Sequence, residues 1–420
     1  MRLIRHRSSL AVLTALLAAS ACVHSPTAPA GPSAALTALP RQLSPAEQSV
    51  LGAANAFSFA LFGKVSAAQP DTNVFLSPLS ASMSLGMALN GAANGTYDEM
   101  RSALQFGSTS QHDIDAGYHS LIALLTGLDP AVQLDVANSV WYDRTFPFYQ
   151  SFLDTTRTYF DADVQPLDFT NQSASLAAIN GWVNTKTNGK IPTILDAIRQ
   201  GDVMYLVNAV YFNAHWRTRF DSALTQAAPF TPAAGAPQQV MLMHREGTMS
   251  YVQTGAYQAV DLAYGDSAFT MTVLLPAPGV SVDALADSLT PAFWTTLTTS
   301  LHGSKVDLYL PRMKLSYART LNGDLKALGM NAAFVPDGAD FTRMSSMGTA
   351  LYVSFVKQKT FVSVDESGTE AAAVTVTGVA TTAFEPPAVM RVDRPFVFVI
   401  RERLSGTILF MGKIASLPGA

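Results

Sequence analysis

The stretch from Asp365 to Pro387, DESGTEAAAVTVTGVATTAFEPP, constrains the fold more than any other, because it is composed like a strand and bounded like a loop. After the turn-forming Asp365-Glu366-Ser367-Gly368, no charge occurs from Ala371 to Phe384, and small or β-branched residues fill the interval. At a period of two, Thr369, Ala371, Ala373, Thr375, Thr377 and Val379 share one face, and Glu370, Ala372, Val374, Val376, Gly378 and Ala380 share the other. The first face is uncharged and can be buried against a core. Gly378, Glu385 and the Pro386-Pro387 pair instead belong to an exposed connection. A segment with both properties is written for two states, one exposed and one inside a sheet.

The remainder must supply that sheet. The chain has 420 residues, 48% hydrophobic and only 14% charged, so it can bury a large core. A net charge of −4 argues against a nucleic-acid or anionic-surface partner. No internal repeat or charge block divides the chain after its N-terminal region, which predicts one large domain. The single cysteine, Cys22, excludes an intramolecular disulfide, and stability must come from packing.

The N-terminus has the form of an export signal: Arg2, Arg5 and Arg7, an apolar run from Leu10 to Ala19, then Ser20-Ala21-Cys22. Small residues before the lone cysteine resemble a bacterial lipoprotein signal. That resemblance implies cleavage before Cys22 and lipidation of its sulfur, although Ala19 stands where leucine is usual. Ala19-Ser20-Ala21 also fits ordinary signal peptidase, which would give a plainly secreted protein. The organisation expected is a signal over 1–21, a Pro/Ala-rich tether over 22–44, and the domain over 45–420.

Ser44-Pro45-Ala46-Glu47 is a helix-capping sequence, and apolar residues follow at helical spacing through Phe62. Asn73–Arg101 gives a short strand, a Ser-Pro break and a helix lined by Met and Leu; Val132 onward alternates as a strand, and Phe152–Phe160 reads as a helix. Met204–Trp216 is a long apolar run of β-formers, as expected of a central strand covered on both faces. Further β-like runs are Ala268–Pro276, Lys305–Pro311, Leu351–Val364, Pro395–Arg401 and Ile408–Lys413. Helices and strands mix without regular alternation, which predicts an α+β fold.

From about residue 45 to 416 the chain resembles a serpin. The segments NVFLSPLSASMSLGMALNGAANGTYDEM, VANSVWYDRTFPFYQSFLDTTRTYF, INGWVNTKTNGKI, YLVNAVYFNAHWRTRF, LYLPRMKLSYARTLNGDLKALGM and VKQKTFVSVDESGTEAAAVT carry the resemblance in order, and MRVDRPFVFVIRERLSGTILFMGKI matches the closing signature of the family. The resemblance implies three β-sheets with about nine helices, and a reactive loop over 366–387 that inserts into the main sheet after a target protease cleaves it. It marks Glu366, Gly368, Thr369, Glu370, Ala371, Ala372 and Ala373 as the hinge of that loop. Family spacing puts the scissile residue sixteen positions after the hinge glutamate, hence the bond Thr382-Ala383, with Phe384-Glu385 as the rival. Ser77, Ser80 and Asn208 match the polar cluster where the main sheet parts, with Gln358 where histidine is common. Trp216 matches the aromatic at the loop entry, and Glu366 with Arg312 an ion pair there. Ser367 replaces a usual acid, and Val374 and Gly378 depart from a pure alanine hinge.

The implied activity is inhibition of a serine protease by covalent trapping, with no cofactor and no metal. Val379, Ala380, Thr381 and Thr382 suit a shallow, apolar primary pocket of elastase type. The alternatives are a non-inhibitory serpin acting in binding, transport or chaperoning, and an inhibitor of chymotrypsin-like or cysteine proteases. A monomer is expected, meeting a membrane only through a lipidated Cys22. An enzyme reading has little to stand on. Ser354-Phe-Val-Lys357 matches Ser-x-x-Lys formally, but that pair needs a helix to share one face, and no SDN or KTG partner follows. There is no GxSxG elbow and no HExxH pair among the seven histidines. Met83 and Met87, at helical spacing, read as core.

Overall fold

The computed structural model of the protein describes residues 34–369 and 386–417. Its first half runs α1 (Pro45–Ala68), β1 (Val74–Leu76), α2 (Pro78–Gly91), α3 (Asn94–Ala103), α4 (Gln111–Thr126), β2 (Val132–Asp143), α5 (Gln150–Phe160), β3 (Asp163–Leu167), α6 (Gln172–Lys186) and β4 (Met204–His215). Then come β5 (Gln226–Phe230), β6 (Gln238–Gln253), β7 (Tyr257–Ala263), β8 (Phe269–Pro276), α7 (Val282–Ser288), α8 (Pro291–Ser300), β9 (His302–Pro311), β10 (Met313–Thr320) and α9 (Asn322–Ala327). The C-terminal part adds β11 (Lys357–Val364), β12 (Gly368–Thr369), β13 (Ala388–Arg391), β14 (Phe396–Glu402) and β15 (Ile408–Ile414). Among the described residues this makes nine α-helices and three sheets, an α+β fold.

The capping sequence before α1 acts as read. Ser44 Oγ accepts from Glu47 N at 3.2 Å, the Glu47 carboxylate accepts from Ser44 N at 2.7 Å, and Pro45 opens the helix. Glu47 is fully buried, and Arg41 donates to both its oxygens at 2.6 and 2.7 Å. Those charge-assisted bonds outweigh burial and hold its carboxyl down at about 2. Ahead of the helix, Leu36 N donates to Asp266 O at 2.7 Å, and contacts group the chain from Ala35 onward into one compact unit.

The largest sheet has nine strands, ordered β1-β15-β14-β8-β7-β6-β9-β13 with β5 on β6. Its strands β8, β14 and β15 are buried at every position, as uninterrupted apolar runs should be. Met83 and Met87 on α2 lie fully inside the main core. The second sheet, β12-β4-β2-β3, pairs β4 with β2 along its whole length, from Met204↔Tyr142 to Ala214↔Val132. Along β4 the alternate residues Phe212 and Ala214 join the main core, while Tyr205 and Val207 join a smaller cluster with Trp141, Ile179 and Val183 beside α6. This is why the sequence of β4 is apolar over most of its length: each of its faces has its own core. The third sheet is the antiparallel pair β10-β11.

One β-like run does not form a strand over its whole length. Of Leu351–Val364, only Lys357–Val364 is β11, because β10 ends at the pair Thr320↔Lys357 and offers no partner further back. The preceding residues are held by single bonds, Val353 N to Ala333 O at 2.7 Å and Val356 N to Asn322 Oδ1 at 2.8 Å. High β-propensity without a neighbouring strand does not make a strand.

Candidate functional site

Two strand edges face each other without pairing. β4 is bonded to β2 on one side, and on the other side, among the described residues, only Gly368↔His215 and Thr369↔Ala214 are paired, at its C-terminal end. β11 is bonded to β10 on one side, and among the described residues it has no strand on the other. The turn Asp365–Gly368 joins β11 to β12 and reverses direction, closed by Asp365 N to Gly368 O at 3.0 Å. Since β12 is antiparallel both to β4 and to the strand it turns back from, β4 and β11 run the same way. Between them lies a slot. Its upper part is lined by Val210, Phe212, Phe361, Ser363 and Thr369. Its lower part widens to a cavity of about 180 Å³ between Met204–Asn208 and Leu351–Lys359.

The top of the slot is closed by the turn Asp365–Gly368. Gly368 has φ +150°, and a Cβ there would stand 2.2 Å from Ala214 O and 2.6 Å from His215 Cα, so both conformation and space demand glycine. Trp216 anchors the turn twice, donating from its backbone N to Ser367 O at 2.8 Å and from Nε1 to Asp365 O at 2.8 Å. Its ring stacks on Tyr264 at 4.3 Å. Tyr264 in turn bonds Thr369 through the two hydroxyls at 2.7 Å, and both side chains are buried. Glu366 accepts from Arg312 Nε at 2.8 Å and pairs with its Nη2 at 2.7 Å, while Thr225 Oγ1 donates at 2.5 Å. Burial raises the Glu366 carboxyl, but the bonds from Arg312 and Thr225 prevail and the net shift is downward. Ser367, standing where an acid is usual, donates from N and Oγ to Asp365 Oδ1 at 2.9 and 2.5 Å, which tightens the same turn.

Lower down, the polar side chains divide between the two edges. Gln358 on β11 clasps the Ser77 backbone, with Oε1 accepting from Ser77 N at 3.0 Å and Nε2 donating to Ser77 O at 2.7 Å. Thr360 Oγ1 donates to Phe75 O at 2.6 Å, so β11 is fastened to the residues leading into α2. Ser77 Oγ donates to Leu409 O at 3.0 Å. Asn208 on β4 belongs to a separate chain of bonds: its Nδ2 donates to Asn138 Oδ1 at 2.6 Å, and Asn138 Nδ2 donates to Phe160 O at 2.7 Å. Asn208 Oδ1 is buried and has no hydrogen-bond partner. Ser80 is buried and lines the cavity.

The structure therefore brings together Glu366, Gly368, Thr369, Trp216 and Arg312 at the top of the slot, and Ser77, Ser80, Asn208 and Gln358 along it. Glu370, Ala371, Ala372, Ala373, Thr382, Ala383, Phe384, Glu385 and Cys22 lie outside the described residues. Sequence reasoning missed Tyr264, Thr225 and Asn138. Each lies in a different segment from the residue it bonds, and nothing in its local pattern marks it. Ser354 and Lys357 do not form a helical pair: Ser354 is in the irregular segment before β11, and Lys357 bonds Asp196 instead. No group of three or more His, Cys, Asp or Glu side chains among the described residues is arranged to hold a metal.

A mixed α+β fold with a slot between two parallel strands and a short antiparallel strand, β12, at its mouth defines the class. The profile of the serpin family, described as serpin (serine protease inhibitor), matches residues 52–417. The chain belongs to the serpin family. It is 33% identical to serpin B8 of Bos taurus over 350 residues, covering 82% of this chain and 93% of that one. It is 31% identical to leukocyte elastase inhibitor A of Mus musculus, covering 86% and 97%. Among solved structures, the thermophilic serpin tengpin in its native state superposes with a TM-score of 0.78 at 32% identity, covering 91% and 96% of the two chains. Human thyroxine-binding globulin, in complex with thyroxine, superposes at 0.80 with 26% identity, covering 89% of this chain and 100% of that one.

Proposed function

We propose that this protein is a suicide-substrate inhibitor of serine proteases, trapping its target by inserting the cleaved loop into the slot. The observation that carries the reading is the pair of parallel edges, unpaired among the described residues beyond β12, which is already started, antiparallel, at the mouth. Extending the register of Thr369↔Ala214 brings Ala371 opposite Phe212, Ala373 opposite Val210, Thr375 opposite Asn208 and Val379 opposite Met204. The segment 368–379 thus matches the 12 residues of β4, its small uncharged face turned to the core side. An inserted strand would bond both edges, and their unpaired backbone groups supply the drive. About fourteen residues, Thr369–Thr382, span roughly 46 Å in extended form.

The chemistry is that of an interrupted acyl transfer. The protease serine attacks the Thr382 carbonyl, the Thr382-Ala383 bond breaks, the new amine leaves on Ala383, and an ester joins the two proteins. Insertion then carries the esterified protease along the sheet. Catalysis tolerates little misplacement of its groups, so deacylation by water stalls. The run Val379–Thr382 favours a small-pocket, elastase-like target; cleavage at Phe384-Glu385 would instead indicate a chymotrypsin-like one. From residues 1–22 we also propose export, with lipidation of Cys22 over a tethered monomeric domain.

The rival is a non-inhibitory carrier, favoured by the fold shared with thyroxine-binding globulin. Incubation with elastase-, chymotrypsin- and trypsin-like proteases separates the two. The inhibitor yields an adduct that survives denaturing electrophoresis, whereas cleavage without any adduct in all three would establish the rival.

A further inference from the structure

The strands that receive the chain after residue 387 carry an outer face built as a contact plate. Register sets Glu246 of β6 opposite Asp307 of β9 and His244 opposite Tyr309, and β13 adds Val389 beside Asp307 and Arg391 beside Tyr309. Paired residues share a face, so these six stand together, while the alternate residues Val306, Leu308, Leu310 and Met390 are buried beneath them. Three of the six form one stack. The Tyr309 ring lies 4.5 Å from the His244 ring at 14°, and the Arg391 guanidinium lies 4.8 Å from Tyr309. His244 Nε2 and Asp307 Oδ1 are 2.5 Å apart, and Arg391 pairs with Asp393. Side chains fixed in this way lose little freedom when a partner arrives. Two features of the plate remain unmatched. Val389 is 56% exposed, the most of any large apolar side chain described. Glu246 and Asp307 form a like-charge cross-strand pair, which is unfavourable in itself. His244 answers only Asp307; Glu246 is exposed and makes no ion pair among the described residues, not even with Lys305 further along the same face.

We propose that this face is a second docking surface for the target protease, which seats an apolar rim on Val389 and a lysine or arginine against Glu246 while its cleft holds the loop. The length of chain names the occupant. Five residues lead from Ala383 to Ala388, where β13 begins, and they span at most roughly 18 Å. A protease domain of about 200 residues has a radius of gyration of roughly 16 Å, so a body held at the Thr382-Ala383 bond extends over ground beside β13. Cleavage at Phe384-Glu385 would bring it closer still. The inference rests on the reading of 366–387 as protease bait, and it adds a determinant of target choice outside the loop. A protease with a cation at the matching position gains affinity, and one with a carboxylate there is turned away.

The test uses the full chain and elastase-, chymotrypsin- and trypsin-like proteases whose catalytic serine is replaced by alanine, so that Kd is read without cleavage. For a protease that binds, Glu246→Lys should weaken Kd about tenfold at low salt, with the difference shrinking as salt is raised. Val389→Glu should weaken it at least severalfold. Both side chains are exposed, so both variants should melt with the wild type. With the active protease, trapping should slow in proportion while its stoichiometry stays the same, because insertion follows docking and uses the slot. Both variants binding within twofold of the wild type, or a wild type that binds none of the three, overturns the proposal. Weakened binding by the variants of a chain that is only cleaved and never traps upholds the docking surface and fails the trapping reading alone.

Discussion

Replacing Thr369 by arginine tests the hinge at the point where its geometry is known. Thr369 is 4% exposed, its hydroxyl lies 2.7 Å from the Tyr264 hydroxyl, and it pairs with Ala214 on β4. An arginine at this position has no carboxylate partner in the bonds described for the site; Glu366 is already committed to Arg312 and Thr225. Leaving a charge buried and uncompensated costs about 3–5 kcal/mol. Because Thr369 is already docked on β4, the arginine first expels this residue from the sheet; insertion must then rebury it, and about 3 kcal/mol on that barrier slows the step roughly a hundredfold. Deacylation competes with insertion, so the variant should be cleaved and released instead of trapping its protease. The assay is the stoichiometry of inhibition, with adduct and cleaved product measured by densitometry. Thr369→Val serves as the control: it keeps the shape, strands only the Tyr264 hydroxyl, and should destabilise the docked hinge by about 1–3 kcal/mol without abolishing trapping. An arginine variant that traps at the wild-type stoichiometry would refute the argument that the side chain at 369 must be buried for trapping.

Mass spectrometry of the C-terminal peptide released in the reaction should give a new N-terminus at Ala383; one at Glu385 sinks the count from Glu366. Expressed in a bacterium with its own signal, the protein should incorporate a fatty-acid probe, and Cys22→Ser should abolish the label; label persisting in that variant speaks for a different site. Burial raises the Asp115 carboxyl to about 6, against the hydrogen bonds from Asn90 and Gln111 that lower it. Its folded pKa lies above the unfolded one, so its contribution is full below about pH 4 and is lost as pH rises through 6. Asp115→Asn, which keeps an acceptor for both donors, should therefore melt higher than wild type at pH 8 by an amount equivalent to about 2–3 kcal/mol, with the gap closing near pH 4. A gap independent of pH would show that ionisation of Asp115 is not the cause.

The apolar run Met204–Trp216 specifies a strand buried on both faces by itself, because such composition cannot face water on either side. Capping at Ser44-Pro45-Ala46-Glu47 likewise depends on neighbours within four residues, and it was legible for that reason. The two-state reading of 365–387 rests on period and composition alone. Tertiary structure decided the rest. That β4 and β11 lie side by side yet unpaired depends on what each is bonded to on its far side, β2 and β10. Gln358 turned to the Ser77 backbone, not to Asn208, because Ser77 offers a donor and an acceptor together at the entry to α2. Tyr264 became the partner of Thr369 although 105 residues separate them in the chain. A residue's intrinsic preference is local and is carried in the sequence around it; which edge stays open and which acceptor stays unmatched is settled only when distant segments compete for the same space.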